Sequence, residues 1–256
     1  MTTRPTSRPT GSSGPTGSAR ESAPVAKPGS GDTAGFWRRL SGPVVAVLLA
    51  AGLVLVTLSV VSGGMAVRLD DRVLALTPGR GNGPVLLDLL TFGIVQLATP
   101  VLSVAVVGAV TMAVCLRTGR WTPLLLAGPA IAVMSTTVLL GKSVITRTAP
   151  DVPGMLGGDG SFPSGHTATA LVCAGVAAEL VSRLRPPRRA MAWAAAVVWT
   201  VLVVSSLLWL HFHWLSDVVA SLLLGSLVLW LLLRWPLRLG RAVGAQWLHE
   251  GRPSAR

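Results

Sequence analysis

Charge is scarce in this chain. Of its 256 residues only 12% are Asp, Glu, Lys or Arg, while 51% are hydrophobic and the mean hydropathy is positive. Soluble domains carry roughly 25% charged residues, so the composition excludes an ordinary soluble protein and reads as a membrane protein. Cysteine is nearly missing as well: Cys115 and Cys173 both fall inside apolar runs. That excludes a disulfide framework and a cysteine-based metal site, and leaves two small core residues. Acidic residues number 10 against 22 basic ones, a net charge of +12. No basic stripe interleaved with aromatics accompanies that charge, so nucleic acid is not the partner. The Lys and Arg lie between apolar runs and in the tails, where membrane topology explains them.

The first 35 residues have almost no large apolar side chains and are rich in Ser, Thr, Gly and Pro. They cannot bury enough surface to offset the entropy of ordering, which predicts a disordered tail. Arg38-Arg39 then precede an apolar run, as in a secretory signal. The run lasts about 20 residues without a small-residue cleavage site, so it reads instead as a first membrane helix.

Six runs approach the length needed to span a bilayer: Pro43 to Val61, Phe92 to Leu116, Pro123 to Leu140, Gly165 to Val181, Ala190 to Leu210 and Trp214 to Leu233. The fourth is the weakest, because Glu179 sits near its end. Between the first two, Met65 to Leu90 mixes Arg68, Asp70, Asp71, Arg72 and Asp88 with apolar residues, as an amphipathic segment lying in the interface does. The predicted organisation is all-α: a tail over residues 1–35, a six-helix membrane unit over 36–236 and a basic tail over 237–256.

The basic residues orient this unit. The amino tail, the loop with Arg117 and Arg120, the loop from Arg183 to Arg189 and the carboxy tail together hold 17 of the 22 Lys and Arg residues. Arg68, Arg72, Arg80, Lys142 and Arg147 fall on the other side. The positive-inside rule then predicts both termini in the cytoplasm and the fourth run's leading loop outside.

That outer loop carries Gly157-Gly158-Asp159-Gly160-Ser161-Phe162-Pro163-Ser164-Gly165-His166. Its glycines let the backbone approach a ligand, and the helix beginning at Gly165 offers unpaired N–H groups and a positive dipole end. Ser164 adds a hydroxyl donor and His166 a group that carries a proton near neutral pH. The plainer reading is a Ser N-cap in a Gly/Pro loop.

Two more clusters reach the same side. Lys142 ends the third run and Arg147 follows it; each is a candidate phosphate ligand, or else a snorkelling and a surface cation. His213 and Asp217 sit four apart at the start of the sixth run, on one helical face. A carboxylate so placed holds one imidazole nitrogen as N–H and leaves the other with a free lone pair. The alternatives are an Asp favoured by the helix dipole beside a solvated His, and a metal pair, for which the outer loops supply no further ligand set. His211 reads either as an interfacial residue or as a spare donor beside His213.

These residues resemble the type 2 phosphatidic acid phosphatase family, membrane lipid phosphatases with the pattern Lys-x6-Arg-Pro, Pro-Ser-Gly-His and Ser-Arg-x5-His-x3-Asp. The resemblance covers about residues 85–233. Pro163-Ser164-Gly165-His166 matches completely, and Ser206, His213 and Asp217 fall in register. Lys142 and Pro150 fit the first pattern, but Ala149 stands where the family has Arg, and Leu207 replaces the Arg after Ser206. Arg147, two positions early, is placed to take over part of the clamp.

The resemblance implies a six-helix bundle and a reaction needing neither metal nor other cofactor. His213 would attack phosphorus, with Asp217 orienting its ring. Lys142, Arg147, Ser164 and the N–H at Gly165 would bind the phosphate, and His166 would protonate the leaving oxygen. The implied partner is a lipid phosphate or diphosphate, such as polyprenyl diphosphate, phosphatidate or phosphatidylglycerol phosphate, drawn from the membrane lipids. Because of Ala149 and Leu207, a catalytically weak homologue that binds or moves lipid phosphates is the second reading. A transporter of another kind is disfavoured: the chain shows no paired inverted repeat and no ionisable residue at mid-membrane. Oligomeric state is not encoded legibly.

Overall fold

A computed structural model of the protein describes residues 33–150 and 160–250, with side chains placed for 42–150 and 160–234. The disorder expected over 1–35 therefore lies, but for its last three residues, outside the described residues. The chain divides into units Met1–Arg39 and Leu40–Arg256, and the candidate site lies in the second.

Among the described residues the secondary structure is entirely helical. In order come α1 (Thr33–Val61), α2 (Met65–Leu76), α3 (Val85–Leu97), α4 (Pro100–Thr118), α5 (Thr122–Val144), α6 (Gly165–Leu184), α7 (Arg189–Trp209) and α8 (Leu215–Glu250). One 3₁₀ turn, Pro186–Arg188, leads into α7. Six helices, all but α2 and α3, are long and apolar enough to cross a membrane, which makes this a polytopic membrane protein.

The second apolar run differs from its expectation. Phe92 to Leu116 is not one span but the end of α3 and most of α4, separated at Ala98 and Thr99. Pro100 is the cause: it has no N–H to donate and disfavours helical geometry at Thr99, which takes φ −55° and ψ 141°. Proline is then well placed to open α4. Hydropathy runs through this break unchanged, so apolar counting misses it. The amphipathic segment expected over Met65 to Leu90 is likewise resolved into α2, a turn with positive-φ Gly79 and Gly81, and the start of α3. At the far end, α8 continues to Glu250, well past the Leu233 limit of the sixth run.

Helix α6 is the centre of the bundle, packed against α4, α5, α7 and α8. Its inner positions are small: Ala168, Ala170, Gly175 and Ala178 are buried, and they admit close neighbours. A Cβ at Gly175 would lie 2.5 Å from Leu229 Cδ1, and one at Gly225 of α8 would lie 2.9 Å from Leu171 Cδ2. One core cluster joins α4, α5, α6 and α8 around Val107, Met134, Val172, Val176 and Val228. A second joins α3, α6 and α7 around Val95, Ala170, Val203 and Leu207.

The short helices are tied to the turn between α7 and α8. Trp209 Nε1–H donates to Asp88 Oδ1 at 2.8 Å. His211, at φ 57°, places Nε2 2.8 Å from the Thr77 hydroxyl and 3.1 Å from the Thr77 carbonyl oxygen. His211 thus joins that turn to the end of α2. With α2 also packed on α8, the segment before the first motif helps position the last one.

Candidate active site

The C-terminal end of α5 and the turn before α6 are built against each other. Past Val144 the chain leaves the helix, and the Ser161 N–H donates to the Arg147 carbonyl at 2.5 Å while the Ser161 hydroxyl donates to that of Thr148 at 3.3 Å. Two glycines make this approach possible. A Cβ at Gly160 would lie 2.5 Å from the Ile145 carbonyl oxygen, and one at Gly141 would lie 2.5 Å from Pro163 Cδ. Lys142 then folds over the turn, its Nζ donating to the Gly160 carbonyl at 2.5 Å.

Ser164 is the N-cap of α6. Its hydroxyl accepts the Thr167 N–H at 3.3 Å, and its own N–H donates to the Asp217 carbonyl at 3.3 Å. The capping reading and the anion reading are compatible here, since a hydroxyl that accepts one hydrogen bond retains a proton to donate. The N–H groups of Gly165 and His166 precede the first intrahelical bond, so this turn is chemically suited to an anion. Gly157, Gly158 and Asp159, the glycine-rich approach, lie outside the described residues.

Across from this turn stands the start of α8. His213 Nδ1 is 3.3 Å from Asp217 Oδ2; because His213 lies two residues before α8, this contact is made across the turn that opens the helix and not along one helical face as expected. Asp217 Oδ2 also accepts the Trp214 N–H at 3.2 Å, so the carboxylate is fixed to the backbone as well as to the ring. The rings of His166 and His213 face each other edge-on, centroids 6.4 Å apart at 60°. With Nδ1 taken by the carboxylate, Nε2 is the nitrogen left for chemistry.

Arg147 is held by side chains of the protein. Its Nη1 donates to Asp217 Oδ1 at 3.0 Å and to the Ser216 hydroxyl at 2.6 Å, and its Nη2 donates to Asp70 Oδ2 at 2.7 Å. Its guanidinium also lies 4.8 Å from the centroid of the Trp214 ring. The cation is engaged by two carboxylates whose side chains are 0% exposed, so buried charge dictates its position. It meets His213 through Asp217.

Asp70 and Ser216 were not singled out by the sequence, and both belong to this network. Asp70 Oδ1 accepts the Ser216 N–H at 2.7 Å and Oδ2 accepts the Ser216 hydroxyl at 2.6 Å. A signal for Asp70 does exist. Asp70, Val73, Leu74 and Thr77 form an i, i+3, i+4, i+7 stripe that lines one small cavity with His213 and Trp214. An acid on the inward stripe of an amphipathic helix needs a buried partner. Nothing comparable marks Ser216.

The two positions where arginine was expected are also clear. Leu207 is fully buried in the apolar cluster shared by α3, α6 and α7. Ala149 follows Thr148, whose carbonyl accepts the Trp214 indole N–H at 2.8 Å, so position 149 lies in the loop bordering the site.

The described residues thus form an all-helical membrane bundle with two facing histidines, a carboxylate behind one and a helix N-terminus beside the other. The chain belongs to the PAP2 superfamily, whose profile matches residues 96–241. The fold is similar to the crystal structure of a transmembrane PAP2-type phosphatidylglycerolphosphate phosphatase from Bacillus subtilis. The TM-score is 0.64 at 23% identity, covering 75% of this chain and 96% of that one. Comparison with curated proteins finds no match.

Proposed function

We propose that the protein hydrolyses the phosphate or diphosphate ester of a lipid at the extracytoplasmic face, through a phosphohistidine. The observation that carries this is the pair of facing rings, 6.4 Å apart, with Asp217 on Nδ1 of one and the N-terminus of α6 at the other. His213 Nε2 attacks the terminal phosphorus, and its bond to the departing oxygen breaks: the lipid oxygen of a monoester, the bridging oxygen of a diphosphate. His166 delivers a proton to that departing oxygen. Water then attacks phosphorus, giving a proton back to His166, the N–P bond breaks and inorganic phosphate leaves.

Asp217 keeps the attacking ring in one tautomer and stabilises its positive charge during the transfer. Lys142, the Ser164 hydroxyl and the N–H groups at Gly165 and His166 surround the place where the equatorial oxygens gather charge. No protein-bound metal takes part in this scheme. The 17-of-22 bias of basic residues supports cytoplasmic termini and an outward-facing site.

The test is phosphate release from short-chain phosphatidate in detergent with excess chelator, for the native chain and His213→Ala, together with trapping of a phosphoenzyme in alkaline denaturant, identified by its loss on brief exposure to acid. Release in chelator, its loss in the variant and a phosphohistidine on the native chain are expected. Activity that disappears with chelator, or that persists in His213→Ala, sinks the mechanism.

A second reading is favoured by Leu207, buried among apolar side chains where a phosphate-binding arginine is expected. In it the protein is a catalytically weak homologue that binds or moves lipid phosphates. Lipid-phosphate binding without measurable release by the native chain, with release appearing once Ala149 is changed to Arg, would support it.

A further inference from the structure

We propose that Asp70, reaching in from the amphipathic helix α2, is a positioning residue for the phosphatase reaction. Through Arg147 and Ser216 it fixes the carboxylate of Asp217, and through that carboxylate the ring of His213. This rests on the reading of His213 as the nucleophile.

The geometry is a closed bracket. Asp217 Oδ2 is spoken for by His213 and by the Trp214 N–H, while Oδ1 meets Arg147 at 3.0 Å. The plane of the carboxylate, and with it the direction of its bond to Nδ1, is thus set by where the guanidinium stands. Arg147 is in turn held from three sides: by Asp70 at 2.7 Å, by the Ser216 hydroxyl at 2.6 Å and by the face of Trp214 at 4.8 Å. Asp70 closes the circuit through the Ser216 N–H, bonding the first turn of α8 from outside that helix. A catalytic ring must be held within about 0.5 Å and 10–20° of its working geometry, and supporting residues do that.

Charge gives the same answer. Two carboxylates with 0% exposed side chains share one guanidinium, 15% exposed. Each acid alone would be costly in such surroundings, and the shared cation offsets both. Removing Asp70 leaves Arg147 with Asp217 as its sole carboxylate, free to close on it and pull it away from His213. Asp70 touches neither imidazole by hydrogen bond, so its influence passes through the bracket. Substrate affinity is set elsewhere, at Lys142 and the α6 turn. The expected signature is therefore a fall in kcat at nearly constant KM.

The experiment measures kcat and KM for short-chain phosphatidate with the full chain in detergent, for Asp70→Asn, Arg147→Gln, the double variant and Ser216→Ala. Asp70→Asn is expected to lower kcat about 10- to 100-fold with KM changed less than about 3-fold, within the range of losses from supporting residues. In the Arg147→Gln background the same change is expected to cost less than about 3-fold more, because the element that transmits it is gone. Ser216→Ala, which buries no unpaired charge, is expected to lower kcat several-fold at constant KM. It decides the matter should Asp70→Asn fail to fold. An unchanged kcat in Asp70→Asn, or losses that multiply in the double variant, overturns the proposal, as does full activity in Ser216→Ala if Asp70→Asn is unfolded. His213→Ala run alongside separates the two levels: if it retains activity the site reading itself has failed, whereas a dead His213→Ala beside a fully active Asp70→Asn removes only the bracket.

Discussion

On one side of His213 the ring meets His166 and the turn that opens α6, built from the stretch Gly160 to His166 and from Lys142, whose Nζ donates to the Gly160 carbonyl. On the other side its carboxylate partner meets Asp70 from α2, Arg147 from the α5–α6 connection and Ser216 from α8. The first flank is local, made of glycines, a cap and a helix end whose geometry a short run of residues dictates. The second exists only because α2 packs on α8 and brings position 70 to positions 147 and 216. In the proposed reaction the local flank would supply donors for the phosphate, and the assembled one rigidity for the nucleophile. The experiments that follow separate those two jobs, beginning with the groups they share.

The largest effects are expected at the facing rings. His213→Ala removes the proposed nucleophile, and activity on any phosphate ester should fall by about 10⁴-fold or more. His166→Ala should lower turnover of a lipid phosphate about 10²- to 10⁴-fold, the usual worth of a general acid. With p-nitrophenyl phosphate, whose leaving group needs no proton, the loss should be much smaller. Equal losses on both substrates would remove His166 from the acid role. Lys142→Met comes next at about 10²- to 10³-fold, as for loss of one charge-stabilising donor. If the local flank serves the phosphate, this variant should also weaken competitive inhibition by vanadate, a phosphate mimic, and Asp70→Asn should not.

The local flank was legible for a physical reason. A cap and a helix start are set by backbone geometry, so Ser164 and His166 could be placed from the chain alone, while His213 stays beside Asp217 because the two are close in the chain, although His213 precedes α8. Gly160 and Gly141 are a different case, since the neighbours a Cβ would strike at 2.5 Å, Ile145 and Pro163, come from across the α5–α6 connection and only the fold reveals them. The break before Pro100 was in plain view and was hidden only because hydropathy averages over it. Arg147 was legible as a cation beside the site but not as a cation already engaged. Its partners come from about 70 positions away on either side, where spacing carries no information. Leu207 teaches the same lesson in reverse: the sequence shows a missing arginine, and the fold shows an apolar cluster around its replacement.

That contrast yields a smaller and sharper test. Ala149 lies in the loop beside the site, so Ala149→Arg should fold normally and raise turnover by roughly 10-fold or more if a phosphate clamp is wanting there. Leu207→Arg asks a guanidinium to enter the cluster of Val95, Ala170 and Val203, all at most 2% exposed. An uncompensated charge there should lower thermal stability in detergent severely. If Leu207→Arg proves stable and more active, position 207 opens onto the phosphate site and the cluster is not closed.

The smallest expected effect tests how rigid the assembled flank is. Trp214 contributes to it twice: its ring lies 4.8 Å from the Arg147 guanidinium, and its indole N–H donates to Thr148 at 2.8 Å. Trp214→Phe keeps a ring face and loses the hydrogen bond, whereas Trp214→Leu loses both. A partly exposed cation over a ring contributes on the order of 1 kcal/mol. Trp214→Phe should therefore cost at most a few-fold in kcat, and Trp214→Leu roughly 5- to 10-fold, each with KM nearly constant. Because Arg147 remains held by Asp70, Asp217 and Ser216 in both variants, neither should approach the loss at Asp70→Asn. A Trp214→Leu defect as large as that one would mean the ring, rather than the carboxylate on α2, fixes Arg147.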